Sequence, residues 1–480
     1  MFRNRKTKIV ATIGPASRKP EVMRAMIENG MDIARLNFSH GNFEEHTESF
    51  EMVKEQSKIV GRPVGIFQDL SGPKVRIGEI ENGSVDLKDG DLISLRPFSG
   101  DKGNAKHIFV EAFNPIEVIK PGEKVLLSDG RLQLRAKEVT ANEVICYIEC
   151  GGNLRQKAGI AVPESKLSLP CITEKDLHDI NWGLEKQVDY IAFSFVGNAQ
   201  DVLDLKKIIA DRGGNIPVIS KLERASALED IQAIADISDC IMVARGDLGV
   251  EVPLETVPWA QKLIIDTSNF TGTPVITATQ MLVSMVNELR PTRAEVSDVC
   301  TAVRDGTDAV MLSEETTIGK HPHIAVKVMS DILVEAEKQL ALNSQPEKNK
   351  GTDQIKIPDA VSYAACFAAE KIGANAIMAC TLTGNSARMI SKYRPQQPIY
   401  GVTPNPKAIG RMAMYWGVEP VLIEEGEVQT LEEEVAQTLA AGRDVIGLKP
   451  GSRVVVTAGL KSKKSGGTNV MQIREIPRAG

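Results

Sequence analysis

Charged side chains stand at the ends of several short apolar segments of this sequence. In VISKLE, one residue separates Lys221 from Glu223, and the alternation of a β-strand points both side chains the same way. Asp247 follows the next apolar segment within ARGDLG, and Arg35 lies near the end of an earlier one within ARLNFSHG. Proteins usually hold magnesium with one or two carboxylates, while substrate oxygens and water complete the octahedron. These four residues therefore predict a cationic, magnesium-assisted pocket for a phosphorylated substrate.

Each of these residues also has a simpler interpretation. Lys221 and Glu223 alone could form a structural ion pair. Asp247, which lies between two glycines, could belong to a plain turn. Ser194 and Ser313 end other apolar runs, and serine at a strand-to-helix turn often caps the helix. The combination of lysine, arginine and two carboxylates favours the site over these separate alternatives.

Eight apolar, β-branched runs alternate with helical stretches, which is the pattern of parallel strands buried on both faces. They are KIVATIG, DIARLNF, VGIFQDL, YIAFSFV, PVISKLE, CIMVARGDL, PVITATQ and AVMLSEE. The pattern predicts an α/β fold with a closed (βα)8 TIM barrel, and an open doubly wound sheet is the alternative. In such a barrel, side chains at the C-terminal strand ends converge on one mouth.

Two further units are expected beside the barrel. Residues 71–166 alternate apolar and polar residues between Asp-Gly and Pro-Gly turns, which is typical of antiparallel strands. The polar stretch NSQPEKNKGTDQ reads as a linker, and an α/β alternation follows it. We therefore expect a barrel of residues 1–70 and 167–340, an inserted small β-barrel-like domain at 71–166, and a C-terminal open α/β-sheet domain at 341–480.

Composition narrows the functional class and the location. The 480 residues are 42% hydrophobic and 25% charged, as in ordinary globular proteins, and the net charge of −6 argues against nucleic-acid binding. No run approaches the length of a membrane span, and the basic start lacks a secretory apolar region. The seven cysteines form no CxxC pair, which suits reduced thiols. The expected location is the cytoplasm, without membrane or nucleic-acid partners.

Several segments resemble the pyruvate kinases, in order and along nearly the whole chain. They are TKIVATIGPAS, ARLNFSHG, QDLSGPKVRIG, VISKLE, MVARGDLGVE, ITATQML, RPTRAEVSDV and VMLSEET. The resemblance implies transfer of a phosphoryl group from phosphoenolpyruvate to ADP, giving pyruvate and ATP. Lys221 and Arg35 would contact the phosphoryl group, and Glu223 and Asp247 would hold Mg²⁺ or Mn²⁺.

The resemblance also assigns residues to the substrate carboxylate, to protonation and to the nucleotide. The backbone N–H groups of Gly246 and Asp247 and the hydroxyl of Thr279 would bind the carboxylate, and Thr279 would relay a proton to the enolate. The nucleotide-binding residues would be Asn37, His40 and Arg76, with Lys157 as a further candidate. The family usually has lysine directly before the glycine where this chain reads Lys157-Ala158-Gly159, so Lys157 substitutes or the contact is missing.

A monovalent-cation site is implied as well. The side chains of Asn37, Ser39 and Asp69 and the carbonyl of Leu70 resemble the potassium ligands of the family. Potassium-dependent members usually carry glutamate at the position of Lys74, and an ammonium there can replace the charge of the ion. We therefore expect activity without potassium. The alternative is that Lys74 is a solvated loop charge.

The resemblance extends to regulation and assembly. Residues of TLTGNS follow a strand and open a helix, which suits a phosphate at the helix N-terminus or ordinary capping; the candidates are Thr381, Thr383, Gly384, Asn385 and Ser386. The effector would be a sugar phosphate, a nucleotide monophosphate or absent, and the loop KSKKSGGTNV, with Lys461, Lys463 and Lys464, would close over it. The inserted domain would act as a lid over the active site, and RPTRAEVSDV would contribute to a homotetramer.

Two other functions remain open at this point. A barrel aldolase or phosphonomutase acting on pyruvate-like substrates would share the metal carboxylates and the enolate chemistry, but would need neither the inserted domain nor ADP. A metabolite sensor with an inactive barrel would use only the C-terminal phosphate pocket. The presence of Lys221, Glu223, Asp247 and Thr279 disfavours the sensor.

Overall fold

The structure is a computed structural model of the chain. It describes residues 5–73, 75–111, 113–165, 171–343, 356–426, 430–459 and 467–478. Lys74 and the lysines of the KSKKSGG loop, at 461, 463 and 464, lie outside the described residues. Within the described ranges, the structure contains no helix of the length and apolarity that crossing a membrane requires.

All eight predicted barrel strands are present, and they close into a parallel barrel. They are β1 (Lys8–Thr12), β2 (Ile33–Asn37), β3 (Gly65–Asp69), β12 (Tyr190–Phe193), β13 (Val218–Leu222), β14 (Cys240–Ala244), β15 (Val275–Ala278) and β16 (Ala309–Leu312). Apart from parts of β2, their residues are buried, as expected of strands covered by side chains inside and helices outside. The predicted closed barrel is confirmed, and the open sheet is excluded.

Helices connect the barrel strands and cover their outer face. They are α1 (Pro20–Asn29), α2 (Phe43–Val60), α4 (Glu174–Lys186), α5 (Ala199–Asp211), α6 (Ala225–Glu229), α7 (Ile231–Ile237), α8 (Arg245–Glu251), α9 (Val257–Thr271), α10 (Arg293–Asp305), α11 (Glu314–Thr317) and α12 (Pro322–Asn343). Several begin with side-chain caps, such as Asn42 at α2 and Thr292 at α10. Ser313 does not cap α11 with its side chain.

The inserted unit between β3 and α4 forms a six-stranded sheet and a two-stranded sheet. Its elements are β4 (Ser84–Leu87), β5 (Leu92–Pro97), β6 (His107–Val110), α3 (Pro115–Val118), β7 (Lys124–Leu127), β8 (Leu132–Val139), β9 (Val144–Cys150), β10 (Gly152–Arg155) and β11 (Ile160–Ala161). The pairs are antiparallel except β5 with β6, which run parallel. The expectation of purely antiparallel strands was wrong for that pair, because alternation of apolar residues is the same in either direction.

The C-terminal unit is the predicted open α/β sheet, with strand order β19-β18-β17-β20-β21. Its elements are α13 (Ile357–Lys371), β17 (Ala376–Cys380), α14 (Asn385–Ser391), β18 (Ile399–Thr403), α15 (Pro406–Met412), β19 (Val418–Leu422), α16 (Leu431–Asp444), β20 (Arg453–Ala458) and β21 (Val470–Glu475). Strand β21 pairs antiparallel with β20 at the edge. The boundaries expected between the three units stay predictions.

The C-terminal unit packs against the N-terminal end of the barrel. Gly410 of α15 lies so close to Gly65, the first residue of β3, that a side chain at position 65 would meet its carbonyl oxygen at 2.5 Å. Lys8, at the start of β1, donates to the carbonyl of Val418 at 2.7 Å. The opposite, C-terminal end of the barrel is therefore left to face the inserted unit and the cleft beside it.

Candidate active site

Four charged side chains meet at the C-terminal end of the barrel. Asp69, the last residue of β3, accepts from Arg35 Nε at 2.6 Å through Oδ2, and Lys221 Nζ lies 3.2 Å from its Oδ1. Lys221 Nζ also lies 2.9 Å from Glu223 Oε1, because β-strand alternation places both side chains on the inner face of the barrel. Ser194 Oγ accepts a further hydrogen bond from Lys221 at 2.7 Å. This network brings together side chains from four neighbouring strand ends.

The charges of this network stabilise one another inside the protein. Burial lowers the pKa of Lys221, but Asp69 and Glu223 outweigh that effect and leave the pKa raised, so the ammonium stays charged. Burial acts to raise the pKa of Asp69, but Lys221 and Arg35 overcome it and lower the pKa. Burial raises the pKa of Glu223 to about 7, which Lys221 opposes and the charge of Asp247 reinforces. A cation bound beside Glu223 and Asp247 would favour the ionised form of Glu223.

The predicted pocket is a cleft of about 1730 Å³ between the barrel mouth and the inserted unit. Nine of the residues predicted for the substrate, metal, nucleotide and cation sites line it: Arg35, Asn37, Ser39, His40, Arg76, Lys157, Lys221, Glu223 and Asp247. Asp69 and Leu70 are both 1% exposed and do not line the cleft, and Gly246 and Thr279, which were predicted for the substrate, do not line it either. The pocket is less cationic than expected, because the buried Asp69 neutralises part of the charge of Arg35 and Lys221.

Thr279 lies at the end of β15, beside the first turn of α8. Its Oγ1 accepts a hydrogen bond from the backbone N–H of Gly246 at 2.9 Å and donates to the carbonyl of Ala278 at 2.6 Å. The backbone of Thr279 has φ +70°, a left-handed conformation that is uncommon for a β-branched residue. The three residues predicted to bind the substrate carboxylate, Gly246, Asp247 and Thr279, are thus adjacent.

The residues predicted for a monovalent cation divide between two environments. Asn37 and Ser39 face the cleft, and Asn37 Oδ1 accepts from the N–H of Ser39 at 3.1 Å. The carbonyl of Leu70 already accepts from Ser194 Oγ at 2.7 Å, and Asp69 is paired with two cations. These last two groups therefore have protein partners in the described part of the chain.

Of the nucleotide candidates, Arg76 and Lys157 contact each other through the backbone. Arg76 Nη1 donates to the carbonyl of Lys157 at 3.0 Å, and the ammonium of Lys157 pairs with Glu111 at 2.5 Å. The sequence did not predict Glu111, because it precedes Lys157 by 46 positions and reaches it only through the fold of the inserted unit. His40 is exposed at the rim of the cleft.

The predicted effector residues form a tight turn between β17 and α14. The N–H of Gly384, which has φ +90°, donates to Thr381 Oγ1 at 2.9 Å. Ser386 Oγ lies 2.5 Å from Thr468 Oγ1, a residue that follows the KSKKSGG loop. Asn385 accepts from the guanidinium of Arg388. The turn thus holds together with internal hydrogen bonds, but no side chain caps α14, whose N-cap residue is Gly384.

Several charged residues of this region were not predicted from the sequence. Arg224 and Glu251 line the cleft beside Glu223, and Arg131 and Arg155 line it from the inserted unit. Arg224 directly follows Glu223 at the end of a barrel strand, and this position could have pointed to it. No comparable sequence signal marks Arg131 or Arg155, since the folding of the inserted strands decides which of their faces reaches the cleft.

Ser313 and Glu315 prove to be structural. The carboxylate of Glu315 is buried and accepts backbone N–H groups from Leu282 at 2.9 Å and from Ser313 at 2.7 Å. It therefore joins the ends of β15 and β16. The simpler interpretation that the sequence left open for Ser313, a helix cap, was wrong for its side chain, which makes no capping hydrogen bond to α11.

The parallel barrel with charged groups converging on its C-terminal mouth defines an α/β-barrel enzyme. Family models agree with that class. Residues 4–326 match the model described as pyruvate kinase, barrel domain, and residues 359–474 match pyruvate kinase, alpha/beta domain.

Several proteins that are similar to this chain over most of their length are pyruvate kinases. The chain is 42% identical over 478 residues to pyruvate kinase 2 of Synechocystis, covering 98% of this chain and 79% of that protein. It is 38% identical over 474 residues to the pyruvate kinase of Clostridium acetobutylicum, covering 98% and 99%. The crystal structure of a pyruvate kinase from Cryptosporidium parvum superposes with a TM-score of 0.91 at 34% identity, covering 99% of this chain and 97% of the other.

The chain belongs to the pyruvate kinase family. It is an enzyme of the phosphotransferase class, and its function is that of a pyruvate kinase. A divalent metal requirement follows in general terms from membership of the family. The aldolase, phosphonomutase and inactive-sensor alternatives are therefore set aside.

Proposed function

We propose that this chain transfers the phosphoryl group of phosphoenolpyruvate to ADP at the barrel mouth, with Lys221 as the central cation. The observation that carries the proposal is the network in which Lys221 contacts Asp69, Glu223 and Ser194 on the cleft side of the barrel. These partners hold the ammonium in a fixed place and keep it charged, so that it faces the negative charge of the phosphoryl group in the transition state without reorganisation.

Arg35 binds the same phosphoryl group from β2, on the far side of Asp69 from Lys221. Its Nε bonds Asp69 at 2.6 Å and its Nη1 bonds Thr12 Oγ1 at 3.1 Å, which fixes the plane of the guanidinium. The side chain lines the cleft, so its outer edge can meet phosphate oxygens. Arg35 and Lys221 share the counter-charge of Asp69, and this anchor sets the spacing of the two cations.

Glu223 and Asp247 would hold Mg²⁺, or Mn²⁺ in its place. Their donor set fits such an ion, because each carboxylate increases the affinity of the other for added positive charge, and the charge of Asp247 adds to the burial that raises the pKa of Glu223 to about 7. When bound, the ion would polarise substrate oxygens and offset the charge that develops on them. Glu223 is further oriented by the N–H of Phe195, which donates to its Oε2 at 2.6 Å.

Thr279 relays the proton that converts the enolate to pyruvate. Its hydroxyl bonds the N–H of Gly246, and the same two groups, with the N–H of Asp247, form a set of donors for the substrate carboxylate. A threonine hydroxyl is too weak an acid to act unaided, so it passes a proton that solvent supplies. Substrate binding would take over the hydrogen bond that Thr279 now accepts from Gly246.

For the nucleotide we propose Asn37, His40 and Arg76, and we assign Lys157 a lesser role. Arg76 is half-buried and uses one nitrogen on the carbonyl of Lys157, which leaves its other donors directed at the cleft. Lys157 is engaged with Glu111 and must leave this partner before it can contact a phosphate. The inserted unit would act as a lid that brings Arg76 and Lys157 toward the barrel.

We further propose that the enzyme works without potassium. Of the groups that resemble potassium ligands, Asp69 has Arg35 and Lys221 as counter-charges and the Leu70 carbonyl accepts from Ser194, so their demand for a cation is reduced. Lys74 would supply the remaining charge. Asn37 and Ser39 would then serve the nucleotide and the loop rather than an ion.

Regulation, assembly and location are proposed at a coarser level. An effector phosphate would bind the turn from Thr381 to Ser386. A homotetramer is supported by two separate groups of exposed apolar side chains, because a tetramer with two-fold symmetry axes forms two different interfaces and each needs its own patch. They are Leu254, Trp259 and Leu263 near α9, and Ile357, Tyr363 and Phe367 on α13. The free thiols of all seven cysteines suit a reducing cytoplasm.

A coupled assay of ATP formation from phosphoenolpyruvate and ADP tests the proposed reaction. The purified chain should form ATP and pyruvate in equal amounts when Mg²⁺ is present, and excess chelator should stop the reaction until Mg²⁺ is returned. The reaction should proceed at the same rate in sodium and in potassium buffers. Formation of pyruvate without ATP would contradict the proposal.

A further inference from the structure

Arg245, the first residue of α8, directs its guanidinium at the end of the neighbouring strand β15. Its Nε donates to the carbonyl of Ala278 at 3.1 Å, and its Nη2 donates to the carbonyl of Thr279 at 2.6 Å. Its Nη1 donates to Asp298 Oδ1 of α10 at 2.7 Å and lies 3.3 Å from Gln261 Oε1. The Arg245 side chain is 13% exposed, and each of its three nitrogens donates to a group inside the protein.

The backbone that Arg245 contacts is strained. Thr279 and Gln280 are consecutive non-glycine residues with φ +70° and +55°. Such conformations persist only where the surroundings hold them in place. The two carbonyls that Arg245 binds belong to Ala278 and Thr279, so the guanidinium holds the chain on both sides of the strained φ of Thr279.

This backbone conformation decides where the Thr279 hydroxyl lies. With φ at +70°, Oγ1 reaches the N–H of Gly246 at 2.9 Å on the first turn of α8, where the next residue, Asp247, lines the cleft. A relaxed, extended Thr279 would point its side chain differently, because φ sets the direction of Cβ. Arg245 and Gly246 are adjacent, so one turn of α8 supplies both the clamp on the Thr279 backbone and the partner of its hydroxyl.

We propose that Arg245 is a positioning residue, which holds Thr279 in the conformation from which its hydroxyl relays the proton. This inference rests on the relay role proposed above for Thr279. Arginine suits the task because its planar fork can bridge two carbonyls and a carboxylate at once, whereas lysine carries a single ammonium. Asp298 of α10 accepts a hydrogen bond from Arg245 and so orients the guanidinium that contacts the Thr279 backbone.

The test compares Arg245→Lys in two backgrounds, the parental chain and Thr279→Ala. Two rates are measured: kcat for phosphoryl transfer, and uptake of deuterium from solvent into the methyl group of pyruvate in the presence of Mg²⁺. In the exchange, pyruvate loses a methyl proton to form the enolate and then gains a deuteron at the same carbon. The exchange therefore reports on the relay without requiring ADP.

In the parental chain, Arg245→Lys should lower both rates about 10- to 100-fold, since two charge-assisted hydrogen bonds to the Thr279 region are lost. The KM for phosphoenolpyruvate should rise by a smaller factor than kcat falls, because Lys221 and Arg35 still bind the phosphoryl group although the carboxylate loses part of its contact with Thr279. In the Thr279→Ala background the same change should cause no further loss, because there is no hydroxyl left to position. Arg304→Lys, at an exposed site of α10, serves as the control and should leave both rates unchanged.

An equal loss from Arg245→Lys in both backgrounds would overturn the inference, and so would unchanged rates in the parental chain. If Thr279→Ala itself retains full exchange, the relay role of Thr279 is wrong, which is a failure of the proposed function and is visible separately. Asp298→Asn provides a milder variant should Arg245→Lys fail to fold. It should lower exchange about threefold in the parental chain and not at all in Thr279→Ala, and the absence of any loss in the parental chain would also overturn the inference.

Discussion

At the N-terminal end of the barrel, an aspartate stands directly before every second strand and accepts an N–H from the strand that precedes it. The pairs are Asp32 with Ile9, Asp189 with Ile66, Asp239 with Val218, and Asp308 with Val275, at 2.8 to 2.9 Å. At the C-terminal end, Asp69 and Glu223 instead face the side chains of Arg35 and Lys221. Carboxylate side chains thus join neighbouring strands by hydrogen bonds at the N-terminal end and neutralise cationic side chains at the C-terminal end.

The two ends differ in whether the partners of the carboxylates can also bind another group. A backbone N–H inside the barrel has no alternative acceptor, so the aspartates of the N-terminal end have a fixed partner whose loss leaves a buried donor unsatisfied. Lys221 and Arg35 at the mouth border an open cleft, and a phosphate can share their donors without breaking the barrel. We therefore expect mutations at the mouth to change turnover and mutations at the N-terminal end to change stability.

The largest effect is expected for Lys221→Met. Because it removes the central cation of the mouth, kcat for ATP formation should fall about 100- to 1000-fold, in the range seen when one preorganised charge-stabilising donor is lost. Lys206→Met is the matched control, since it breaks an ion pair with Asp239 at the other end of the barrel. The control should retain kcat within about twofold, and equal losses in the two variants would contradict the comparison.

Asp308→Ala should destabilise the protein without slowing it. The carboxylate is buried, accepts from the N–H of Val275 and pairs with Arg394 of the C-terminal unit at 2.8 Å, so its removal leaves two donors unsatisfied. We expect the free energy of unfolding in urea to fall by about 2 to 3 kcal/mol and kcat to stay near the parental value. The exposed Asp211→Ala is the control. An Asp308→Ala variant with unchanged stability and lowered kcat would contradict the proposed difference between the two ends of the barrel.

Lys74→Glu should create a potassium requirement at the mouth. A carboxylate in place of the ammonium adds negative charge to a site that already contains Asp69, and a monovalent cation would then be needed to offset it. Without potassium the rate should fall about tenfold, and added potassium should restore it. Lys88→Glu makes the same charge change at an exposed position of the inserted unit and should have no effect. Full activity of Lys74→Glu without potassium would contradict the proposal.

The smallest effect concerns Asp189 and pH. Burial raises the pKa of Asp189, and Lys54, the N–H of Ile66 and Arg411 oppose that shift only in part. The stabilising contribution of such a group is complete below the ordinary aspartate pKa of about 4 and is lost as the pH rises through the raised value. Asp189→Asn should therefore gain stability relative to the parental chain as the pH rises from about 4, by less than the loss expected for Asp308→Ala. A constant difference above this pH would show that Asp189 does not titrate there.

Sequence reasoning reached the barrel and the core of its mouth for definite reasons. Each barrel strand lies in a short apolar run between helical stretches, so all eight could be predicted from this local pattern. Lys221 lies in β13 and Glu223 directly follows it, and the two-residue period of a strand predicts their contact at 2.9 Å. Local patterns are sufficient wherever the residues concerned belong to one element or to equivalent strand ends.

What could not be predicted depends on contacts between distant segments. The central position of Asp69 between Arg35 and Lys221 requires the closed order of the barrel. The engagement of Lys157 by Glu111 and the parallel pairing of β5 with β6 arise within the inserted unit, where alternation is compatible with several arrangements. The clamp of Arg245 on Thr279 likewise joins two strand ends that no local pattern connects.

Carboxylates at the mouth are proposed to bind a metal ion, whereas carboxylates at the N-terminal end stabilise the barrel by accepting backbone N–H groups of its strands. Titration of Mn²⁺ by electron paramagnetic resonance tests it in Glu223→Gln and in Asp189→Asn, two buried sites where one negative charge is removed and the side-chain shape is kept. We expect Glu223→Gln to weaken Mn²⁺ binding by more than about tenfold and Asp189→Asn to bind as the parental chain does. Equal affinity in the two variants would contradict the account.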